Sequence, residues 1–233
     1  DSRNAIADFS SAGPTPLSLQ MKPDVAAPGV DVLSSLPANQ GGPWGTLSGT
    51  SMAAPVVSAA AALLKERHPD WTVAQIKSAL EQTGDSVANV PVTRDGGGVI
   101  DLPRADVPLL FAAPTGLSFG ALPPGGVADR TVTLTDAGGG AGDWAVSVAG
   151  TGVSAAATAT VPQELPSPLQ VNFHAASCMP VSLALLPATT RRSSSVPLAM
   201  QYSGDVMYVT STSKPAVYAT SALWPLPDAV IAY

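Results

Sequence analysis

Apolar residues in the first fifty positions come singly or in short runs, broken by Gly, Pro and Asp. In "VAAPGVDVLSSLP" a Pro-Gly break is followed by Val30, Val32 and Leu33 against polar neighbours, which predicts a strand entering a polar turn. "ANQGGPWG" predicts a Gly-rich loop. At Ser51 the pattern changes: "SMAAPVVSAAAALLKERHPD" predicts a helix rich in Ala and Leu. Ala53, Ala54, Ser58, Ala59, Ala60, Ala61 and Ala62 cover nearly every face, which predicts a helix buried all round. Pro55 is placed in its first turn, where a missing N–H costs little. Lys65, Arg67 and His68 gather at the C-terminal end, where cations suit the dipole, and Pro69 ends the helix. "DWTVAQIKSALEQTGD" predicts a second helix, with Thr72 and Gln75 forming a capping box. Val73, Ile76, Ala79 and Leu80 make its apolar stripe, and Gly84 is the expected C-cap. "DGGGVIDLPRADV" predicts a turn and a short strand that close this unit near residue 112.

From about residue 114 the helical period stops. "RTVTLT" and "WAVSVA" alternate with period two and flank "DAGGGAGD", which predicts a hairpin connection. "PLQVNF", "SLALL", "PLAMQY", "MYVTST" and "AVYAT" continue the rhythm, and "LPATTRRSSSVP" is an expected polar loop. Short strands between Gly, Pro and Asp turns predict a β-sandwich.

Composition narrows the function classes. Charged residues make up 12% of the 233 positions and the net charge is −6, so a basic nucleic-acid surface is not expected. No run of about 18 apolar residues is long enough to span a bilayer. The single cysteine, Cys178, cannot form an internal disulfide and is expected as a small buried hydrophobe. Asp24 and Asp31 are weighed as metal ligands, but calcium takes about six to eight oxygens and no clustered acidic loop is present. Solvated or capping roles are expected for both. "DAGGGAGD" also lacks the alternating Asp/Asn spacing of a calcium loop.

The candidate chemistry lies in "GTLSGTSMAAP", residues 45 to 55. Ser51 stands where a Gly-containing turn meets a helix. Free N–H groups at a helix start carry partial positive charge, which favours an oxyanion forming beside the serine. The competing reading is that a serine there simply caps the helix. A nucleophilic serine also needs a base, and the chain has two histidines, His68 and His174. His68 follows Ser51 by about 25 Å of helix and is not expected to serve. His174 falls in the β-rich region.

The length and order of the match decide between these readings. "FSSAGP", "KPDVAAPGVDV", "SGTSMAAP", "AAAALLKERHPDWTVAQIKSAL" and "GGGVIDLPRA" resemble, in order and spacing, the subtilisin-like serine proteases (subtilases) over about residues 5 to 110. The resemblance implies that Ser51 is the nucleophile and that its N–H, assisted by Thr50, forms part of the oxyanion hole. It implies that Leu47, Ser48, Gly49 and Met52 line the substrate cleft. It also implies that the aspartate and histidine of the triad, and an oxyanion asparagine, precede this segment in the chain. No cofactor and no metal site is expected here, although calcium is compatible with the family.

The expected fold is α/β: residues 1–112 as the C-terminal part of a three-layer parallel-sheet peptidase domain, and residues 114–233 as a fibronectin-like all-β sandwich. The expected function is a fragment of a secreted, bacterial serine endopeptidase acting on protein or peptide substrates. Its partner would be the missing N-terminal part of the same chain. The alternative is a non-catalytic pseudo-protease or surface-adhesion module. Taken alone, the segment is expected to lack peptidase activity and to expose an apolar edge of its parallel sheet.

Overall fold

The structure is a computed structural model that describes residues 5–123 and 126–146 and, further along, strands between 153 and 232. The first half contains β1 (Ala26–Pro28), β2 (Val32–Ser35), β3 (Trp44–Leu47), α1 (Thr50–Arg67), α2 (Val73–Gln82), α3 (Val92–Asp95) and α4 (Leu102–Ala105). Strands follow: β4 (Leu110–Ala113), β5 (Gly116–Gly120), β6 (Val127–Asp136), β7 (Gly142–Val146), β8 (Val153–Ala155), β9 (Thr158–Val161) and β10 (Leu169–Ala176). The remainder are β11 (Val181–Leu185), β12 (Val196–Ala199), β13 (Tyr202–Ser203), β14 (Val206–Ser211) and β15 (Val230–Ala232).

The two long helices form where their local signals place them. In α2 the Thr72 hydroxyl accepts from the Gln75 N–H and the Gln75 side chain accepts from the Thr72 N–H, the reciprocal pair of a capping box. Ile76, Ala79 and Leu80 turn inward, but Val73, the first helical residue, is 84% exposed and leaves the stripe. The C-cap is Thr83, so Gly84 lies one residue beyond it. A side chain at Gly84 would collide with the carbonyl of Gly97. That glycine therefore permits close packing of two backbones rather than closing the helix.

Two expectations for α1 are corrected. Pro55 is the sixth residue of the helix, well inside it. It lacks the N–H that would bond the carbonyl four residues back, that of Ser51. Nor is α1 buried all round. Ala53, Ala60 and Leu64 are buried, while Ser51, Pro55, Ser58, Ala59, Ala62, Leu63 and Glu66 form an exposed stripe at helical spacing. Small residues on every face make such a helix packable on every face, without dictating that each face is covered by this segment.

The core joins the helices to the first strand of the second half. Ala60 and Leu64 of α1, Ile76, Ala79 and Leu80 of α2, Ala105 of α4 and Phe111 of β4 form one buried cluster, with Trp71 and Ala137 at its margin. Buried Ser78 adds a polar tie, accepting from the Ala112 N–H at 2.8 Å and from Gln82 Nε2 at 3.1 Å. A second contact positions the start of α1: Ala27 of β1 and Ala53 are both fully buried and pack together, with Val30 and Val56 beside them.

Sheet pairing departs from expectation at several points. β1 receives a parallel bridge from Val99 on one side and an antiparallel partner, β15, on the other. The apolar edge expected to lie open is thus paired, because β15 satisfies backbone groups that burial would otherwise leave orphaned. Among the described residues of the first half, parallel pairing is confined to the Ala26–Val99 bridge. β2 and β3 make a separate antiparallel pair. The stretch read as turn and strand, residues 95–107, does turn at Gly96–Gly97 and pairs at Val99 with Ala26 and Asp85, but it then forms α4, capped by Asp101, whose carboxylate accepts from the Arg104 N–H at 3.0 Å.

The second half contains a four-stranded sheet in the order β4-β6-β10-β8 and a larger one in the order β5-β11-β14-β12-β7-β9, with β13 on β14. β6 and β10 of the first sheet touch β5 and β9 of the second. Two pairs of the larger sheet, β11 with β14 and β7 with β12, are parallel. The hairpin expected across "DAGGGAGD" does not form: β6 pairs with β4 and β10, while β7 pairs with β9 and β12. The connection changes sheets. Asp136 shapes it, its Oδ1 accepting from the N–H groups of Gly138, Gly139 and Gly140 at 2.7–2.9 Å. Cys178 lies outside the described residues.

Candidate active site

Ser51 is the second residue of α1. The helix begins at Thr50 with Gly49 as N-cap, and no side chain caps its first turn. Ser51 does not perform the capping role that a serine at a helix start commonly has. It is exposed, and its hydroxyl makes no hydrogen bond among the described residues.

The backbone around it is held from both sides. The Gly49 N–H donates to the Gly29 carbonyl at 2.8 Å, tying the turn to the end of β1. The Met52 N–H bonds the Gly49 carbonyl at 2.9 Å, and the Ala53 N–H reaches the same oxygen at 3.4 Å. The N–H groups of Thr50 and Ser51 precede any helical acceptor. They carry the positive end of an 18-residue helix. A hydroxyl and two unengaged N–H groups thus share one helix entrance, which suits attack on a carbonyl whose oxygen becomes an anion.

Gly49 has φ 162 and ψ 159, extended backbone open to any residue. Its value here is clearance. A Cβ would stand 3.8 Å from the Ser51 nitrogen and 3.4 Å from Met52 Sδ, in front of the helix entrance. The Ser48 hydroxyl accepts from the Asp31 N–H at 2.9 Å and lies 3.3 Å from its carboxylate. Asp31 has φ 51, a left-handed conformation that Asp tolerates. Leu47, 48% exposed, ends β3 opposite Val32. Leu47, Ser48, Gly49, Thr50, Ser51 and Met52 therefore lie on one continuous segment, with Met52 half-buried behind the serine.

His68 is not brought to Ser51. His68 is the C-cap of α1, at the opposite end of the helix. Its Nε2 lies 2.8 Å from Asp106 Oδ1, and its ring stacks on Trp71 at 3.7 Å. Arg67 donates twice to the same carboxylate, at 2.9 Å each. The hydrogen bond from Arg67 and then that from His68 hold the Asp106 carboxyl below its ordinary range. His174 stands in β10, in register with Asp129 of β6 and Ser154 of β8.

Asp24 is engaged by cations of the chain itself: Lys22 pairs with it directly, and Lys77 Nζ lies 3.1 Å from its Oδ1. Among the described residues no group of three or more His, Cys, Asp or Glu is placed to hold a metal ion. No described helix is long and apolar enough to cross a membrane.

Several features of interest escaped the sequence reading. Trp44, 67% exposed, sits on the strand that leads to Leu47. An aromatic between Gly-Pro and Gly was its signal. Two buried acids also carry raised pKa values. Burial pushes Glu81 up to about 7, aided by Asp24 and opposed by Thr115 and Lys77. Burial likewise pushes Asp95 up to about 7, against the hydrogen bond it accepts from the Val87 N–H at 3.0 Å.

Residues 1–100 match the model of the subtilase family. Similar proteins include subtilisin-like protease SBT3.9 of Arabidopsis thaliana, 44% identical over 97 residues, covering 39% of this chain and 13% of that protein. Subtilisin-like protease SBT4.14 of the same plant is 41% identical over 119 residues, 44% of this chain and 16% of its own length. The minor extracellular protease Vpr of Bacillus subtilis is 36% identical over 123 residues, 49% of this chain and 15% of its own. The chain spans about an eighth to a sixth of these relatives. The matches support the subtilase reading and a serine peptidase family for this segment, and they come from both a plant and a bacterium.

Proposed function

We propose that this segment supplies the nucleophile half of a serine endopeptidase site. The observation that carries the reading is the free hydroxyl of Ser51 beside the unengaged N–H groups at the entrance of α1. Ser51 Oγ attacks a peptide carbonyl and passes its proton to a base. The carbonyl oxygen becomes an oxyanion received by the Ser51 N–H and assisted by Thr50. Collapse breaks the C–N bond as the base returns the proton to the leaving amine, and water then hydrolyses the acyl-enzyme. Leu47, Ser48, Gly49 and Met52 form the floor and wall on which the substrate lies.

The base belongs to sequence outside these 233 residues, together with the aspartate that orients it and an asparagine for the oxyanion. The exposed stripe from Ser51 through Pro55, Ser58, Ala59, Ala62 and Leu63 supports this. A segment packed on that face would stand directly over the serine. Protein substrates and secretion follow from the family reading, and residues 114–233 are proposed as a fibronectin-like sandwich appended to residues 1–112. In the longer protein that carries this segment, Ser51→Ala abolishes peptide hydrolysis. Undiminished cleavage by that variant overturns the proposal.

A further inference from the structure

The turn that follows β1 meets the nucleophile segment at three successive points. Val32 pairs with Leu47 as the closing rung of the β2–β3 ladder. One step on, the Asp31 N–H donates to the Ser48 hydroxyl at 2.9 Å, and that hydroxyl donates to Asp31 Oδ1 at 3.3 Å. Beyond it, the Gly49 N–H donates to the Gly29 carbonyl at 2.8 Å. The middle link is made by a side chain. Asp31, at φ 51, has left the extended conformation of a strand rung.

A residue other than glycine in the left-handed region carries a conformational cost and persists where its surroundings hold it. The reciprocal pair with Ser48 supplies that hold. Asp31 and Ser48 are both exposed, so the pair does not serve a buried core. Its effect falls on the residue that follows. Gly49 has the freest backbone of any residue type. Its N–H is held by Gly29, and its carbonyl by the Met52 N–H at 2.9 Å and the Ala53 N–H at 3.4 Å. Those bonds keep one geometry only while the turn after β1 and the segment leading into α1 stay aligned, and the Asp31–Ser48 pair spans the two.

We infer that Asp31 is a positioning residue for the oxyanion site: in its left-handed conformation it clamps Ser48, so that the Thr50 and Ser51 N–H groups enter α1 at a fixed angle. The inference rests on the endopeptidase reading of Ser51. It also defines the part of Ser48. The one proton of its hydroxyl is engaged by Asp31 and is not offered to substrate, so Ser48 keeps the cleft floor in shape. The oxyanion forms only as the reaction proceeds. A misaimed N–H therefore slows the chemical step without weakening substrate binding.

The test uses the longer protein that carries this segment, with Ser51 titrated to completion by a fluorophosphonate so that rates are counted per competent site. Asp31→Ala removes the carboxylate and disfavours the left-handed backbone. Its kcat per titrated site is expected to fall by about tenfold to a hundredfold, with KM within about twofold of wild type. A peptide boronate, which mimics the tetrahedral intermediate, should bind more weakly by a similar factor. Asp31→Asn tolerates the same backbone and keeps an acceptor for the hydroxyl, so it restores the wild-type kcat. Ser48→Ala reproduces the loss and decides by the same two constants should Asp31→Ala not fold. The two alanine changes combined cost no more than the larger one alone, because they break one link. Unchanged kcat per titrated site in Asp31→Ala overturns the inference, even if fewer sites titrate. So does a rise in KM alone, a double variant whose losses multiply, or Asp31→Asn as slow as Asp31→Ala. Failure of the endopeptidase reading shows separately, as peptidase activity that survives Ser51→Ala, and takes the inference with it.

Discussion

Ser51 and His68 stand at opposite ends of α1, about 25 Å apart at the rise of an α-helix, and the His68 imidazole is already held by Asp106 at 2.8 Å and stacked on Trp71. The nearest histidine in sequence is therefore a structural corner piece. It fastens the C-terminal end of α1 to the residue after α4. The nucleophile end of the same helix carries a free hydroxyl. In the function proposed above, its proton acceptor comes from a segment laid across the exposed stripe.

Buried acids set the pH dependence of stability. Glu81 and Asp95 both titrate near 7 in the folded chain, above their unfolded values of 4.5 and 3.8. The fold binds more protons than the unfolded chain between those limits, so stability falls as pH rises through that window and is flat above 7. Each group contributes at most roughly 3 to 4 kcal/mol, from about 1.4 kcal/mol per pKa unit. Asp106, whose carboxyl is held low by Arg67 and His68, acts oppositely and weakens the fold only as pH falls below the ordinary carboxylate range. Urea unfolding at pH 5 and pH 8 is expected to give the higher midpoint at pH 5. Asp95→Asn and Glu81→Gln should each narrow that gap.

The capping box of α2 predicts a local loss. Thr72→Ala removes the hydroxyl that accepts from Gln75 and leaves an orphan N–H at the helix start. The expected cost is about 1 kcal/mol in urea unfolding. Thr72→Ser, which keeps the acceptor, should stay close to wild type.

Phe111 predicts coupling between the two halves. It belongs to β4, yet it packs with Ala60, Leu64 and Leu80 of the helices and meets Trp71 edge-on with ring centres 5.0 Å apart. Phe111→Ala is expected to destabilise by about 3–5 kcal/mol. Tryptophan fluorescence, read in variants that keep only Trp71 in one half or only Trp144 in the other of the four tryptophans, should show a single shifted transition. Separate transitions for the two probes would contradict a shared core.

What was legible in the sequence was local. The spans of α1 and α2, the Thr72–Gln75 box and the serine at a helix entrance all follow from residues within one or two turns of each other. The burial of α1 was not, because alanine and serine satisfy a packed face and an open one equally. The partners of β6 and β7 were not either. Alternation marks a strand without naming its neighbour, and Asp136, bonding three successive N–H groups, redirects the chain where glycines suggested a hairpin. Four-residue α4 was visible in principle, as Asp101 before Leu102-Pro103 is a capping signal. Glu81 carried no sequence mark at all. Its burial arises from four segments that converge only in the folded chain.

The central claim is tested most directly by fluorophosphonate labelling read at the peptide that contains Ser51. The 233-residue protein is expected to show no adduct above that of its Ser51→Ala variant. The longer protein that carries it should be modified at Ser51 and lose all labelling on the same substitution. Rapid modification of the 233-residue protein at Ser51, or an active longer protein left unmodified there, would contradict the account.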